Sequence, residues 1–282
     1  MPANPRGTGM PNAGRACPAP TEYTGLFMSR LLEGKLALVT GIANRWSLAH
    51  AIAQAFAREG ATQVLTYLGE RQKAKIDELA PDLNVALIQP CDVTKDEELA
   101  SLTDALAALK RPLHAVVHSL AFANPEDLTR PFFETSRAGF LLAQDVSAYS
   151  LVALARAVMP AMAEGGSIST LTYLGSQRVV PNYNVMGVAK ASLEAAMRYL
   201  ASELGERNIR VNAISAGPVK TASARGIKGF SGILDAAARN PLRRNTDPAE
   251  VADAAVFLAS ALGRGVTGNV LFVDSGMQIM GF

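Results

Sequence analysis

The chain has 282 residues, 49% of them hydrophobic and 18% charged, with a net charge of +2 and a pI near 8.6. That length suits one large α/β domain or two small ones, with ample apolar material for a core. The balanced charge excludes a broad nucleic-acid-binding surface, and no apolar run approaches the ~18 residues of a membrane span. The two cysteines, Cys17 and Cys91, stand outside any metal-ligand spacing. The expectation is a reducing, cytoplasmic setting with no structural disulfide, no metal and no membrane or nucleic-acid partner.

The opening stretch MPANPRGTGMPNAGRACPAPTEYTG carries five prolines and four glycines, with no acid before Glu22. It lacks the apolar segment of a secretory signal, and its proline content and scarcity of serine argue against a transit peptide. Residues 1–30 are therefore expected to be a disordered leader, with Met28 a candidate start.

From Lys35 onward, short β-rich runs alternate with helical ones. Expected strands are KLALVT (35–40), TQVLTY (62–67), NVALIQ (84–89), HAVVHS (114–119), GSISTLT (166–172), IRVNAIS (209–215) and NVLFVD (269–274). Several are nearly continuous apolar runs, as strands covered on both faces require. Between them, SLAHAIAQAFAREG closes on Gly60, NVMGVAKASLEAAMRYLASELG on Gly205, and DPAEVADAAVFLAS opens with an Asp cap and a proline. Such alternation predicts a single-domain, doubly wound, seven-stranded parallel sheet with helices on both faces, spanning 31–282.

The first strand runs into TGIANRWSLAHAIA. Gly41 at the strand end and a helix opening at Ser47 are where a dinucleotide pyrophosphate would meet helix N-terminal amides. Only the first glycine of a G-x-G-x-x-G pattern is present, and an ordinary strand–helix turn would look alike. After the third strand, Asp92 could accept from an adenine amino group or cap the helix in KDEELASLTDALAALK. HSLAFAN ends the fourth strand with small residues against which a ribose can lie. Three strand ends converging on one side make a nucleotide crevice.

Further along, TYLGSQRVVPNYNVMGVAK places Tyr173 and Tyr183 ten residues apart, with Lys190 seven beyond the second. Seven helical residues set Lys190 about 10 Å along the axis from Tyr183 on roughly the same face, a gap that a nicotinamide ribose could fill. The lysine would bind the ribose hydroxyls and leave the tyrosine hydroxyl, a better donor beside an ammonium, for a substrate oxygen. In the common short-chain dehydrogenase spacing, Tyr-x-x-x-Lys, the tyrosine slot here holds Met186 and the upstream serine slot holds Tyr173.

These residues, with LVTGIANRWSLAHAIA, VVHSLAFA, GFLLAQDVSAYSL, IRVNAISAGPVKTASARGIKGF, PLRRNTDPAEVADAAVFL and TGNVLFVDSG, resemble the enoyl-acyl carrier protein reductases of type II fatty acid synthesis. That family is a divergent branch of the short-chain dehydrogenase/reductases with a Rossmann-type fold. The likeness runs from about Leu31 to Phe282. It implies an NADH-dependent homotetramer that takes its enoyl substrate from acyl carrier protein, with NADPH left open. It further implies that Tyr183 donates to the thioester carbonyl, that Lys190 holds the nicotinamide ribose, and that Tyr173 is a second site tyrosine of less defined role. Gly41, Ser47 and Leu48 would line the pyrophosphate, Asp92 and Val93 the adenine, Leu120 the adjacent ribose region, and Val219 and Thr221 the nicotinamide amide and phosphates. Ala123, Met186 and Phe230 would border the acyl pocket, under a lid at about 217–232.

Several positions depart from the family's pattern: Trp46 and His50 at the pyrophosphate helix, His114 beside the fourth strand, and Ala222 on the lid. Lys228 is either a contact for acidic carrier protein or a solvated loop lysine. His114 and His118 read as structural. Leu68 ends the second strand where glutamine is frequent, and Arg71 and Lys73 either receive a 2′-phosphate or form the exposed face of the next helix. Two other activities share this composition: a short-chain 3-oxoacyl or other ketone reductase, against which Met186 counts, and a non-catalytic NAD(H) sensor.

Overall fold

The computed structural model describes residues 30–219 and 239–281. The leader, Thr221, Phe230 and most of the expected lid, including Ala222 and Lys228, lie outside these residues. Seven strands form one parallel sheet: β1 (Leu36–Val39), β2 (Thr62–Tyr67), β3 (Val85–Pro90), β4 (Leu113–His118), β5 (Gly166–Thr172), β6 (Ile209–Ala216) and β7 (Val270–Val273). Their order is β3-β2-β1-β4-β5-β6-β7, so the winding reverses between β1 and β4.

The pleat sorts the core into two layers. Leu36 and Leu38 of β1 join Val64, Val116, Ile168 and Val211 beneath α3 (Asp96–Ala108), α6 (Ser150–Val158) and α7 (Asn184–Leu204). Ala37 and Val39 point the other way, with Leu65, Ala115, Val117 and Ile214, beneath α1 (Leu48–Arg58), α2 (Glu70–Leu79) and α8 (Pro248–Ala259). Two-residue alternation on a doubly covered sheet produces this division.

Local chemistry sets the helix ends. Ser47 caps α1 through its hydroxyl and the His50 N–H, and Gly60 turns the chain at φ +89°. Asp247 and Glu250 form a reciprocal capping box on α8, with Pro248 in its first turn. Between β4 and β5 lie the short α4 (Pro125–Thr129), then α5 (Arg137–Gln144), which continues through a π turn at Asp145–Tyr149 into α6. The continuous helix Arg137–Ala161 is long and apolar enough to cross a membrane by length and composition, with mean hydropathy 1.4. Half of its apolar 18-residue window is buried, and Leu151, Leu154 and Val158 are core residues, so its apolar character serves the core of the domain.

Candidate active site

The carboxyl ends of β1 and β4 meet at the winding reversal, the position where open α/β sheets hold ligands. Thr40 joins them: its N–H and hydroxyl both donate to the Val117 carbonyl, at 3.0 Å each, and its Oγ1 accepts from the Ser119 N–H at 3.3 Å. Gly41 follows at φ +83°, so close to β4 that a β-carbon would overlap the Ser119 carbonyl oxygen. The glycine is therefore required twice, by its dihedral and by this approach. Beyond it, the Ser47 hydroxyl donates to the Asn44 carbonyl at 2.7 Å, and Trp46 stands 61% exposed on the same turn. Leu48 opens α1 immediately after the cap. His50 is buried, with Nδ1 3.1 Å from the Arg45 carbonyl, and burial lowers its pKa. It braces the turn from within.

At the next strand end, Leu68 is exposed and Gly69 adopts φ +77°. Gln72 bridges this corner to the Gly41 turn, accepting from the Leu68 N–H at 2.6 Å and donating to the Ile42 carbonyl at 2.8 Å. Lys73 pairs with Asp77 at 2.7 Å, whereas Arg71 is exposed and makes no ion pair among the described residues. Asp92 does not cap α3, whose N-cap is Lys95. Its carboxylate accepts from the Thr94 N–H and hydroxyl at 3.0 and 2.7 Å, closing the turn after β3, while Val93 packs on the core. Leu120 follows β4 half-buried, and Val219 lies buried after β6.

Tyr173 leaves β5 and Tyr183 caps the start of α7, and the fold brings their rings into edge contact, centroids 5.1 Å apart at 73°. Ala123 and Met186 pack in the same small cluster, with Leu128, Val180 and Ala189. Four of the residues expected around substrate thus share one packed unit, although they come from three separate segments. Two glycines that the sequence reading passed over make room for it. A β-carbon at Gly175 would overlap the Tyr183 ring, and one at Gly187 would stand 2.7 Å from the Gly175 carbonyl oxygen.

Burial governs the protonation states. Desolvation raises the Tyr183 hydroxyl well above its ordinary value, and Tyr173 is pushed up to about 12. Both are neutral at pH 7, and the acidifying effect expected on Tyr183 from a nearby ammonium is not found: burial, Tyr173 and Glu194 all raise its pKa. The Tyr173 hydroxyl is buried with no hydrogen-bond partner among the described residues, a costly state that a substrate oxygen would relieve. Lys190 is 6% exposed and donates to the Leu171 carbonyl at 2.8 Å. Burial lowers it to about 8, opposed by Glu194, so it remains an ammonium at neutral pH. An ammonium has three donors, and one such bond leaves capacity for ribose hydroxyls.

His118 is structural, as its sequence context suggested: Nδ1 lies 2.8 Å from Thr170 Oγ1 and Nε2 2.8 Å from Ser150 Oγ, and burial holds it neutral, at about 3. His114 serves the sheet, with Nδ1 accepting from the Leu36 N–H at 3.3 Å. Among the described residues no cluster of ligating side chains could hold a metal ion.

Fold and site define a class, a Rossmann-type domain with two packed tyrosines and a buried lysine near the carboxyl ends of its strands. Within that class, residues 41–278 match the family model described as enoyl-(acyl carrier protein) reductase. The chain is 53% identical over 254 residues to the Bacillus cereus NADH enoyl-(acyl-carrier-protein) reductase FabI, covering 89% of this chain and 99% of that one. It is 49% identical over 250 residues to the Staphylococcus aureus (strain MRSA252) NADPH enzyme of the same name, covering 88% and 98%. A Bacillus cereus crystal structure of the enoyl-acyl carrier protein reductase with NADP+ and indole naphthyridinone superposes with a TM-score of 0.88 at 53% identity, covering 90% and 100%. The chain belongs to the enoyl-(acyl carrier protein) reductase family.

Proposed function

We propose that this protein reduces the trans-2 double bond of enoyl thioesters on acyl carrier protein, the last step of fatty acid elongation, in the cytoplasm. The observation that carries the reading is the unit formed by Tyr173, Tyr183, Met186 and Ala123 at the cofactor end of the sheet. A ketone reductase would need its tyrosine four residues before Lys190, where Met186 lies buried.

The Gly41 cradle and the amides at the start of α1 fit a pyrophosphate, with Ser47 and Leu48 beside it. Asp92 and Val93 would line the adenine, Leu68 and Leu120 the ribose region, and Val219 and Thr221 the nicotinamide amide and phosphates. NADH held there would supply a hydride for the β-carbon of the substrate. Tyr183 donates to the thioester carbonyl and stabilises the enolate charge, and Tyr173 presents its unpartnered hydroxyl to the same substrate. Lys190 orients the nicotinamide ribose. Ala123, Met186 and Phe230 would border the acyl pocket of the one catalytic domain, with residues at about 217–232 as its lid. NADH is the cofactor of this reading; Lys73 is held by Asp77, which leaves Arg71 as the cation that a 2′-phosphate would meet, so NADPH is the alternative.

Leu141 on α5, Tyr149 on the π turn and Tyr199 on α7 leave apolar surface exposed, which supports the homotetramer; sedimentation velocity measures it directly. The function is tested by cofactor consumption with a trans-2-enoyl and a 3-oxoacyl thioester, each with NADH and NADPH. Turnover of the enoyl substrate with NADH is expected. Turnover of the 3-oxo substrate alone would make the protein a ketone reductase, and cofactor binding without either turnover would make it a sensor.

A further inference from the structure

The buried stripe of α7 runs Met186, Ala189, Lys190, Leu193, Glu194, Met197, and two of these are charged. Glu194 is 5% exposed and one helical turn beyond Lys190. Its Oε1 accepts from the Thr172 hydroxyl at 2.7 Å and from the Ser176 hydroxyl. Thr172 ends β5 and Ser176 lies in the short turn after it, so the two bonds bracket Tyr173. They tie the segment carrying Tyr173 to the helix that starts at Tyr183 and carries Lys190.

A glutamine could accept both hydroxyl bonds without the desolvation penalty of a buried charge. The charge itself therefore needs a second purpose, and its neighbours supply one. Around Lys190, β4 contributes neutral His118, β5 the Leu171 carbonyl, and the turns Tyr173 and Tyr183, both neutral; Asp274, after β7, acts on Tyr173. Glu194 is the group whose negative charge acts on the Lys190 ammonium.

We propose that Glu194 is a positioning residue of the reduction site: it clamps the Tyr173 segment to α7 and holds a negative charge beside the Lys190 ammonium. This rests on the enoyl reductase reading for the purpose of Tyr173 and Lys190, but not for the clamp itself.

The test compares full-length wild type with Glu194→Gln, Glu194→Asp and Ser176→Ala. NADH dissociation constants are measured by fluorescence from pH 6.5 to 9.5, together with kcat and KM on an enoyl thioester. In Glu194→Gln the pH at which NADH affinity falls should drop by about one unit, because Lys190 loses the negative charge one helical turn away that favours its ammonium. Its kcat should fall about tenfold or more from misplacement of Tyr173, with KM for the thioester little changed. Glu194→Asp should restore the pH dependence of NADH binding without restoring kcat, since the charge returns and the reach does not. Ser176→Ala should lower kcat and leave the NADH profile in place. Wild-type NADH profiles and rates in Glu194→Gln would overturn the proposal. If Glu194→Gln does not fold, unchanged kcat in folded Ser176→Ala and Thr172→Val would overturn the clamp. Absence of wild-type turnover, with the NADH profile still shifted in Glu194→Gln, would reject the proposed reaction and keep the role of Glu194.

Discussion

Gly175 lies against the ring of Tyr183 with no room for a side chain: a β-carbon would overlap Cδ1 and stand 2.8 Å from Cε1. Gly175 does not take a positive φ, so packing alone accounts for its glycine. Gly175→Ala should therefore move the Tyr183 ring, costing about 1–3 kcal/mol of stability through overpacking. The more specific expectation is a fall in kcat of about tenfold to 100-fold, as for a misplaced reacting group. NADH affinity should hold, because Gly175 packs against Tyr183 and Gly187 rather than against the Gly41 turn. Steady-state kinetics beside NADH titration checks this, and an unchanged kcat would show that the Tyr183 ring can shift without consequence.

Removing the hydroxyl of Tyr183 while keeping its ring separates packing from chemistry. Tyr183→Phe should lose about 3–4 kcal/mol of transition-state stabilisation, roughly 10²–10³ in kcat, with NADH still bound. Tyr173→Phe removes a buried hydroxyl that has no partner among the described residues, so the free protein should become no less stable. Near-normal turnover in Tyr183→Phe would take that residue out of the mechanism.

The buried ammonium of Lys190 gives a stability signature with a definite sign. Its pKa is about 8 when folded, against 10.5 for a solvated lysine, so between these values the unfolded chain holds the extra proton. The folding penalty of the charged lysine is full below pH 8 and is relieved as pH rises toward 10.5. Across that window the apoprotein should gain stability relative to Lys190→Met, by an amount on the order of 3 kcal/mol. Chemical denaturation of both proteins at pH 7 and pH 10 measures it. A constant difference would mean that Lys190 titrates normally in the folded state.

Trp46 is the only tryptophan in the chain and is 61% exposed on the turn leading into α1. Placed beside the pyrophosphate cradle, it should lose emission when NADH binds, through energy transfer to the nicotinamide. Trp46→Phe should abolish the signal and retain turnover. Saturating NADH without any change in emission would place the cofactor away from this turn.

Much of the fold was legible because its elements are locally encoded. The bounds of β2 and β5 agree with the expected runs, and β4 differs by one residue. The ends of α7 and α8 follow from Gly205 and the Asp247–Pro248 start. The π turn at 145–149 was not legible, since its residues keep a helical pattern throughout. Glu194 left a trace that was overlooked: with Lys190, it occupies a core position in the 3.6-residue stripe of α7. A charge at such a position requires a partner, and the search for one leads to Thr172 and Ser176.

By itself the sequence determined the strand–helix alternation, the helix caps, and the separation of Tyr173, Tyr183 and Lys190 along the chain. These depend on neighbouring residues and on the periods of strand and helix. Only the tertiary structure decided the order of the strands, the approach of Gly41 to Ser119, the edge contact of the two tyrosines and the glycine space beneath them. Each joins segments distant in the chain. Periodicity tells a side chain which face it occupies, whereas its neighbour across that face is set by the packing of the whole sheet.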